Sequence, residues 1–206
     1  MAASRERRAH ENPLFDPDRD AVTDAADLQA LAHPLRIRLL GLLRRDGAST
    51  ASRLAERLDV SSGLTSYHLR QLAAAGFIRE ADRPGSGRER WWQASQRSTH
   101  VLSPAADDAE AGAVTTEFLN AVVEVNFANA RAYLAEEDRW SPEWREVTSF
   151  NDMLLALTPA EADRLQLELA RVIAKYPRHE SGAELPPGAA VVQAQYQIFP
   201  AAGRRP

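Results

Sequence analysis

A chain of 206 residues with 44% apolar side chains is long enough to bury a core; its composition fits a soluble globular protein and excludes a disordered one. It contains no cysteine, which excludes disulfides, thiolate metal sites and thiol switches. The net charge of −4 is uneven: −1 over residues 1–23, +4 over 24–100, where twelve arginines oppose eight acids, and −7 over 101–206. A basic middle beside an acidic remainder points to one part suited to a polyanion and another that is not. Taken alone, +4 is also what ordinary scatter produces.

In chain order, residues 1–22 begin MAASRERRAHENPLFDPDRD. This stretch has charges but no apolar core of a secretory signal, and it reads as a flexible arm. No apolar run approaches the roughly 18 residues that cross a bilayer. Together these absences favour a cytoplasmic location.

Residues 23–100 read as short helices followed by a hairpin. Asp24 to Leu31 forms a brief helix with Thr23 placed to cap it, and His33-Pro34 ends it. Pro34 suits the first turn of the next helix, PLRIRLLGLLRRDG, where its missing N–H is harmless; Gly47 stops that helix. Thr50 opens a third helix, ASRLAERL, and Asp59-Val60-Ser61 turns the chain into a fourth, SSGLTSYHLRQLAAAGF. Ser61 is a good N-cap, and Gly76 provides the left-handed stop. The period then changes: FIREA is a strand, RPGSG a turn and RERWWQA a returning strand. Trp91 and Trp92 are adjacent on it and point to opposite faces, one into the core and the other onto the C-terminal half or a second subunit.

Residues 101–113 read as a linker of small and acidic residues. A helix over 114–139 carries an apolar stripe through Val114, Phe118, Leu119, Val122, Val123, Phe127 and Leu134. TSFNDMLLAL (148–157) is a candidate strand. Thr158, Pro159 and Glu161 then spell a capping box that opens a second long helix. GAELPPG is a loop, and VVQAQYQIF alternates like a half-buried strand. The fold class is therefore mainly α with a β-hairpin wing, a winged helix-turn-helix, followed by a helical dimerisation segment and a small α+β C-terminal element over 114–206.

The fourth helix can be tested by angle. With Thr65, Leu69 and Leu72 inward, 3.6 residues per turn sends Gly63, Tyr67 and Arg70 outward and Ser66 to a flank. Ser61, Ser62, Ser66, Tyr67 and Arg70 can all donate to bases or phosphates, and Gly63 allows close backbone approach. An isolated helix with such a face is ordinarily just solvated; the preceding helix-turn and the following wing favour DNA in the major groove. Arg83, Arg88 and Arg90 around the wing suit phosphates, because the guanidinium fork is always charged.

The run from LQALAHPLRIRLLGLLRRDG through ASRLAERLDVSSGLTSYHLRQLAAAGFIRE to RERWW resembles the ArsR-type family of bacterial winged-helix transcriptional regulators, over roughly Leu28 to Ala94. The resemblance implies a homodimer on an inverted-repeat operator in double-stranded DNA, usually a repressor released by an effector, and nucleoid-associated. It makes Ser62, Gly63, Ser66, Tyr67 and Arg70 major-groove contacts. His68 matches the family's histidine, as a phosphate contact or a packed structural residue. Dimerisation is expected through the first helix and the 114–139 stripe, at Leu28, Leu31, Phe118, Val122 and Phe127.

The departures concern sensing. The family's cysteines before the recognition helix are replaced by AERLDVSS, and the 114–139 helix has no histidine. His10, His33, His68, His100 and His179 show no ligand spacing, so no metal or other cofactor is expected. Trp140, Trp144, Phe150, Tyr176, Tyr196 and Phe199 read as core more than as a pocket for an unknown small-molecule effector. No phosphate loop, nucleophile elbow or HExxH motif points to an enzyme. The rival reading is a winged-helix protein-interaction module without operator binding.

Overall fold

In the computed structural model, residues 11–23, 25–82, 89–101, 108–201 and 203 are described. Strand β1 (Asp20–Thr23) leads into the short helix α1 (Ala25–Leu28), then α2 (Pro34–Asp46), β2 (Ser49–Thr50), α3 (Ala51–Leu58) and α4 (Ser62–Ala74). Strands β3 (Ile78–Glu80), β4 (Trp91–Ala94) and β5 (Ser98–Val101) follow. The long helix α5 (Ala109–Ala135), a 3-10 turn (Glu137–Arg139), α6 (Pro142–Val147) and α7 (Pro159–Ile173) complete the order. The architecture is a winged helix-turn-helix with C-terminal helices.

The helix boundaries are set by local chemistry. The Nδ1 of His33 accepts the Leu35 N–H at 3.1 Å, with Pro34 in the first turn of α2. The hydroxyl of Thr50 caps α3 by accepting from Arg53 N–H, and that of Ser61 caps α4 by accepting from Leu64 N–H. Asp59 turns α3 into α4 with φ 53°, a left-handed conformation that aspartate tolerates better than most residues. At the far end of α4, Phe77 N–H donates to Leu72 O and Gly76 N–H to Ala73 O, both at 3.0 Å. This is a Schellman closure, and φ 77° at Gly76 is why glycine stands there.

Two sheets frame these helices. β2, β4 and β3 form an antiparallel sheet in that order, with Thr50 opposite Trp91 and Glu80 opposite Trp92. β1 and β5 pair in parallel, Asp20 opposite Ser98 through Thr23 opposite Val101. The core gathers Leu28, Leu31, Leu39, Leu43, Leu54, Leu69, Leu72, Phe77 and Trp92, and α5 closes it with Phe118.

Several expectations change. Thr23 belongs to β1, and the first helix is only Ala25–Leu28. Residues 20–22, read as part of the arm, are held in the β1–β5 pair. The long helix begins at Ala109 rather than 114, with Asp108 accepting from Ala111 N–H as its cap, and ends at Ala135. Trp91 and Trp92 are both buried within the winged helix; the Arg53 guanidinium lies 4.9 Å from the Trp91 ring, so that ring turns to α3 and not to the C-terminal half. The capping box at Thr158 and Glu161 forms as written. The strands expected at 148–157 and 191–199 do not form, so the small α+β element is absent. A strand needs a ladder partner for its backbone groups, and the described residues supply none to either segment.

Leu69 is fully buried in the shared core. Leu69→Ala should therefore destabilise the fold by about 2–5 kcal/mol, measured as a lower urea midpoint with an unchanged slope.

Candidate nucleic-acid interface

Rotation of α4 about its axis sorts its side chains. Thr65, His68, Leu69 and Leu72 are buried, while Ser62, Gly63, Leu64, Tyr67, Arg70 and Gln71 are exposed and Ser66 is half-buried. The inner hydroxyl is satisfied, since Thr65 Oγ1 donates to Ser61 O at 3.1 Å. Among the described residues from 11 to 101, the only large hydrophobic side chains classed as exposed are Leu64 and Tyr67, at 43% and 52%, both on this one face. Sequence reasoning missed Leu64 and Gln71. Leu64 lies outside the inward set of Thr65, Leu69 and Leu72, and that spacing was the available signal.

His68 does not share the outer face. It is 4% exposed, its ring centroid 4.4 Å from that of His33 and 5.2 Å from that of Tyr67. The side chain packs the entry of α2 against α4, as in the structural one of its two readings. Burial, assisted by His33 and Arg36, pushes its pKa below the ordinary histidine value.

The outer face continues into a cleft of about 310 Å³ lined by Thr50, Ala51, Ser52, Ser66, Arg70, Glu89, Arg90 and Trp92. Ser66 and Arg70 of α4 thus border the same space as Arg90 at the base of the wing and Ser52 on the first turn of α3. Arg90 pairs with Glu80 at 3.1 Å and lies 5.5 Å from the Trp92 ring, so its guanidinium is oriented by its own sheet. Arg83 and Arg88 lie outside the described residues. The four groups brought together are therefore Ser66, Arg70, Arg90 and Ser52, the last not foreseen.

Gly63 is informative because its own fold does not require it. A Cβ built there meets nothing within 4 Å, and the residue is helical. Glycine in the middle of a helix costs roughly 0.5–1 kcal/mol relative to alanine, an upper bound for Gly63 in the first turn of α4. Nothing within the chain offsets that cost.

The expected dimer contacts are placed differently from the stripe reading. Leu28 and Leu31 are buried at 0% and 2%, Phe118 at 8%, and Val122 packs on the same core. These four serve the protomer's own interior, and only Phe127, 60% exposed, faces outward. Among the described residues there is no group of three histidine or carboxylate side chains arranged to hold a metal, and no helix long and apolar enough to cross a membrane.

Residues 31–81, about a quarter of the chain, match a family model described as a helix-turn-helix domain. They span the core-facing end of the first turn through β3. A comparison with curated proteins finds no match. Among solved structures, the chain is similar to a mutant of Lactococcus lactis ZitR, with 18% identity and a TM-score of 0.27 over 55% of this chain and 65% of that one, slightly under two thirds of its length. The apo form of that mutant gives 18% identity and a TM-score of 0.28, over 55% and 72%.

The lowered pKa of His68 fixes the sign of a pH effect. The folded state favours the neutral ring, so stability is present above about 6.5 and is lost as pH falls below that value. In an NMR titration His68 should protonate below the ordinary histidine range. A His68→Gln variant should lose less unfolding free energy than the wild type between pH 7 and pH 5.

Proposed function

We propose that this protein is a sequence-specific DNA-binding transcriptional regulator that reads the major groove with α4. The observation that carries the reading is the outer face of α4: Leu64 and Tyr67, the only large apolar side chains exposed among the described residues from 11 to 101, the exposed donor Arg70 and a glycine unneeded by the fold are collected on one surface beside the wing. The helix-turn-helix match over 31–81 supports it. In this fold the second helix of the motif enters the groove and its N-terminal residues meet base edges.

Roles follow from side-chain chemistry. Arg70 and Tyr67 reach base edges from the middle of the helix, Arg70 suiting guanine O6 and N7. Leu64 suits a thymine methyl group, an apolar contact that hydroxyls cannot make. Ser61, Ser62 and Ser66 donate to phosphates or bases. Gly63 lets the phosphate backbone approach the first turn of α4. Arg83, Arg88 and Arg90 hold the flanking backbone and set register without reading sequence. Ser52, at the start of α3, joins them across the cleft.

A single recognition helix reads one half-site, so the operator is an inverted repeat bound by a homodimer. The winged helix would form residues 23–100 of each protomer, with 114–206 supplying dimerisation and an effector region. The repressor role, the releasing effector and the ArsR-type assignment follow from the resemblance of Leu28–Ala94 alone. The acidic C-terminal half, at −7, belongs on the side away from the duplex.

The test is a gel shift against the chain's own upstream DNA and base-substituted versions of it at two salt concentrations. Tyr67→Ala and Arg70→Ala should each flatten the preference between related operators, by about 1–3 kcal/mol at the affected position. Arg88→Ala should weaken all sequences alike and reduce the salt slope by about one. Gly63→Ala should raise stability by up to about 1 kcal/mol and weaken binding. Uniform losses across the operator set for all four variants, or binding without salt dependence, would remove these roles.

A further inference from the structure

Beyond Val125 the chain changes character. Among the described residues from 126 onward, only Ala170 is buried. Of the twenty large hydrophobic side chains that stand exposed among the described residues, eighteen lie between Leu119 and Phe199. At roughly 200 Å² for a large side chain, their exposed fractions amount to on the order of 2,000 Å² per chain. Monomeric proteins seldom leave apolar patches of more than a few hundred Å² uncovered.

Helix α5 shows where the cover belongs. Phe118, Ala121 and Val125 are buried and run three and four residues apart along its inner face. Leu119, Val123 and Phe127, each four apart, occupy the roughly opposite face and are 50%, 39% and 60% exposed. A helix apolar on both sides is a buried helix, and one of its sides has no cover in this chain.

The segments after α5 do not supply it. The chain departs through α6 and 148–157, where Leu154 is 88% exposed, and returns along α7 to dock at 178–181. There His179 Nε2 lies 2.6 Å from Arg45 O and Ser181 Oγ donates to Leu43 O at 3.4 Å, both carbonyls in the last turns of α2. Residues 191–199 then run back toward α5, where Gln195 Nε2 donates to Asn126 Oδ1 at 3.4 Å. Val192 on this run is 67% exposed, so the excursion is fixed at two places while its apolar side chains stay open.

We infer that a second copy of this chain covers the outer face of α5 together with residues 148–157 and 191–199, and that the backbone of these two segments gains its hydrogen-bond partners only across that interface. The choice of a second copy rests on the reading of the chain as a two-fold DNA-binding regulator and on three properties of the surface. The part of it on the outer face of α5, 148–157 and 191–199 is about 1,400 Å² per chain and, doubled, about 2,800 Å², inside the 2,000–5,000 Å² range of obligate homodimers. It belongs to the half of the chain, residues 101–206, whose net charge of −7 repels nucleic acid and anionic lipid. It is also continuous with the protomer core through α5, so a two-fold partner meets the same helix and the same two segments that it offers in return. The interface therefore lies on the outer side of α5 and on the segments beyond it, not at Leu28, Leu31, Phe118 and Val122.

The experiment uses the full chain without DNA. Light scattering at micromolar concentration should give twice 22.7 kDa, and amides in 148–157 and 191–199 should exchange slowly with deuterated solvent. The double variant Leu154→Asp, Val192→Asp removes little burial from a single chain. It should give the monomer mass and fast exchange in both segments, with the amides of α2 and α4 still protected. Phe127→Gln gives the same test with a neutral side chain, should the double variant unfold. A monomeric wild type overturns the inference, as does a dimer whose two segments exchange fast or one that survives these substitutions. A failed gel shift from an intact dimer would instead remove the DNA reading and leave the interface standing.

Discussion

Three inward side chains of α4, Thr65, Leu69 and Leu72, are wholly buried, and their burial fixes the rotation of the helix about its own axis. Period 3.6 then leaves no freedom in what faces out. A turn of the helix by one residue would bury Ser66 and Arg70 and carry Leu72 to the exposed place of Gln71. The capping of Ser61, the left-handed turn at Asp59 and the Schellman closure at Gly76 fix its ends, so both the angle and the position of the outer face are inherited from the core. His68 belongs to the same constraint: it lies beside Leu69 in sequence and is drawn inward with it, against His33 at the start of α2.

The parts of this fold that were legible in the sequence are those decided within a few residues. His33-Pro34, Thr50, Ser61, Gly76 and the Thr158 capping box each bind their own neighbours, so a short stretch of chain carries the whole instruction. What could not be read depends on distant partners. The β1–β5 pair joins residues 78 apart, Asp20 with Ser98 through Thr23 with Val101, and neither strand announces the other. Residues 191–199 alternate like a strand, yet alternation supplies a face and not a ladder. The apolar residues of α5 read as one stripe, although 118, 121 and 125 and 119, 123 and 127 are two faces. The exposure of Leu64 was readable from its spacing, while the pairing of His68 with His33 was not.

The molecule divides into a satisfied half and an unsatisfied one. Up to about residue 125 the helices and the sheets close on themselves, and residues 178–181 return to complete the ionic contacts. Asp20 shows this most fully: its buried carboxylate accepts from Arg97 at 3.1 Å and from the backbone N–H of Asp16 at 2.9 Å, with Arg178 at 3.5 Å. Burial alone would raise its pKa, but these partners outweigh it and hold the group well below the usual carboxylate range. Beyond residue 125 the same chain leaves leucine, valine and phenylalanine side chains in water. The change in character coincides with the change in charge, and it separates the half suited to a polyanion from the half suited to apolar contact.

Asp20 also has a consequence in time. The residues that satisfy it lie 77 and 158 positions downstream. On a ribosome that adds about 5–20 residues each second, Arg178 follows Asp20 after on the order of ten seconds. Until β5 is made, about halfway through that interval, the strand that carries it has no neighbour. The helix-turn-helix can condense from its own local contacts while the clasp formed by β1, β5 and the 178–181 loop is still incomplete, so the bond between residues 20 and 178 closes late in each newborn chain.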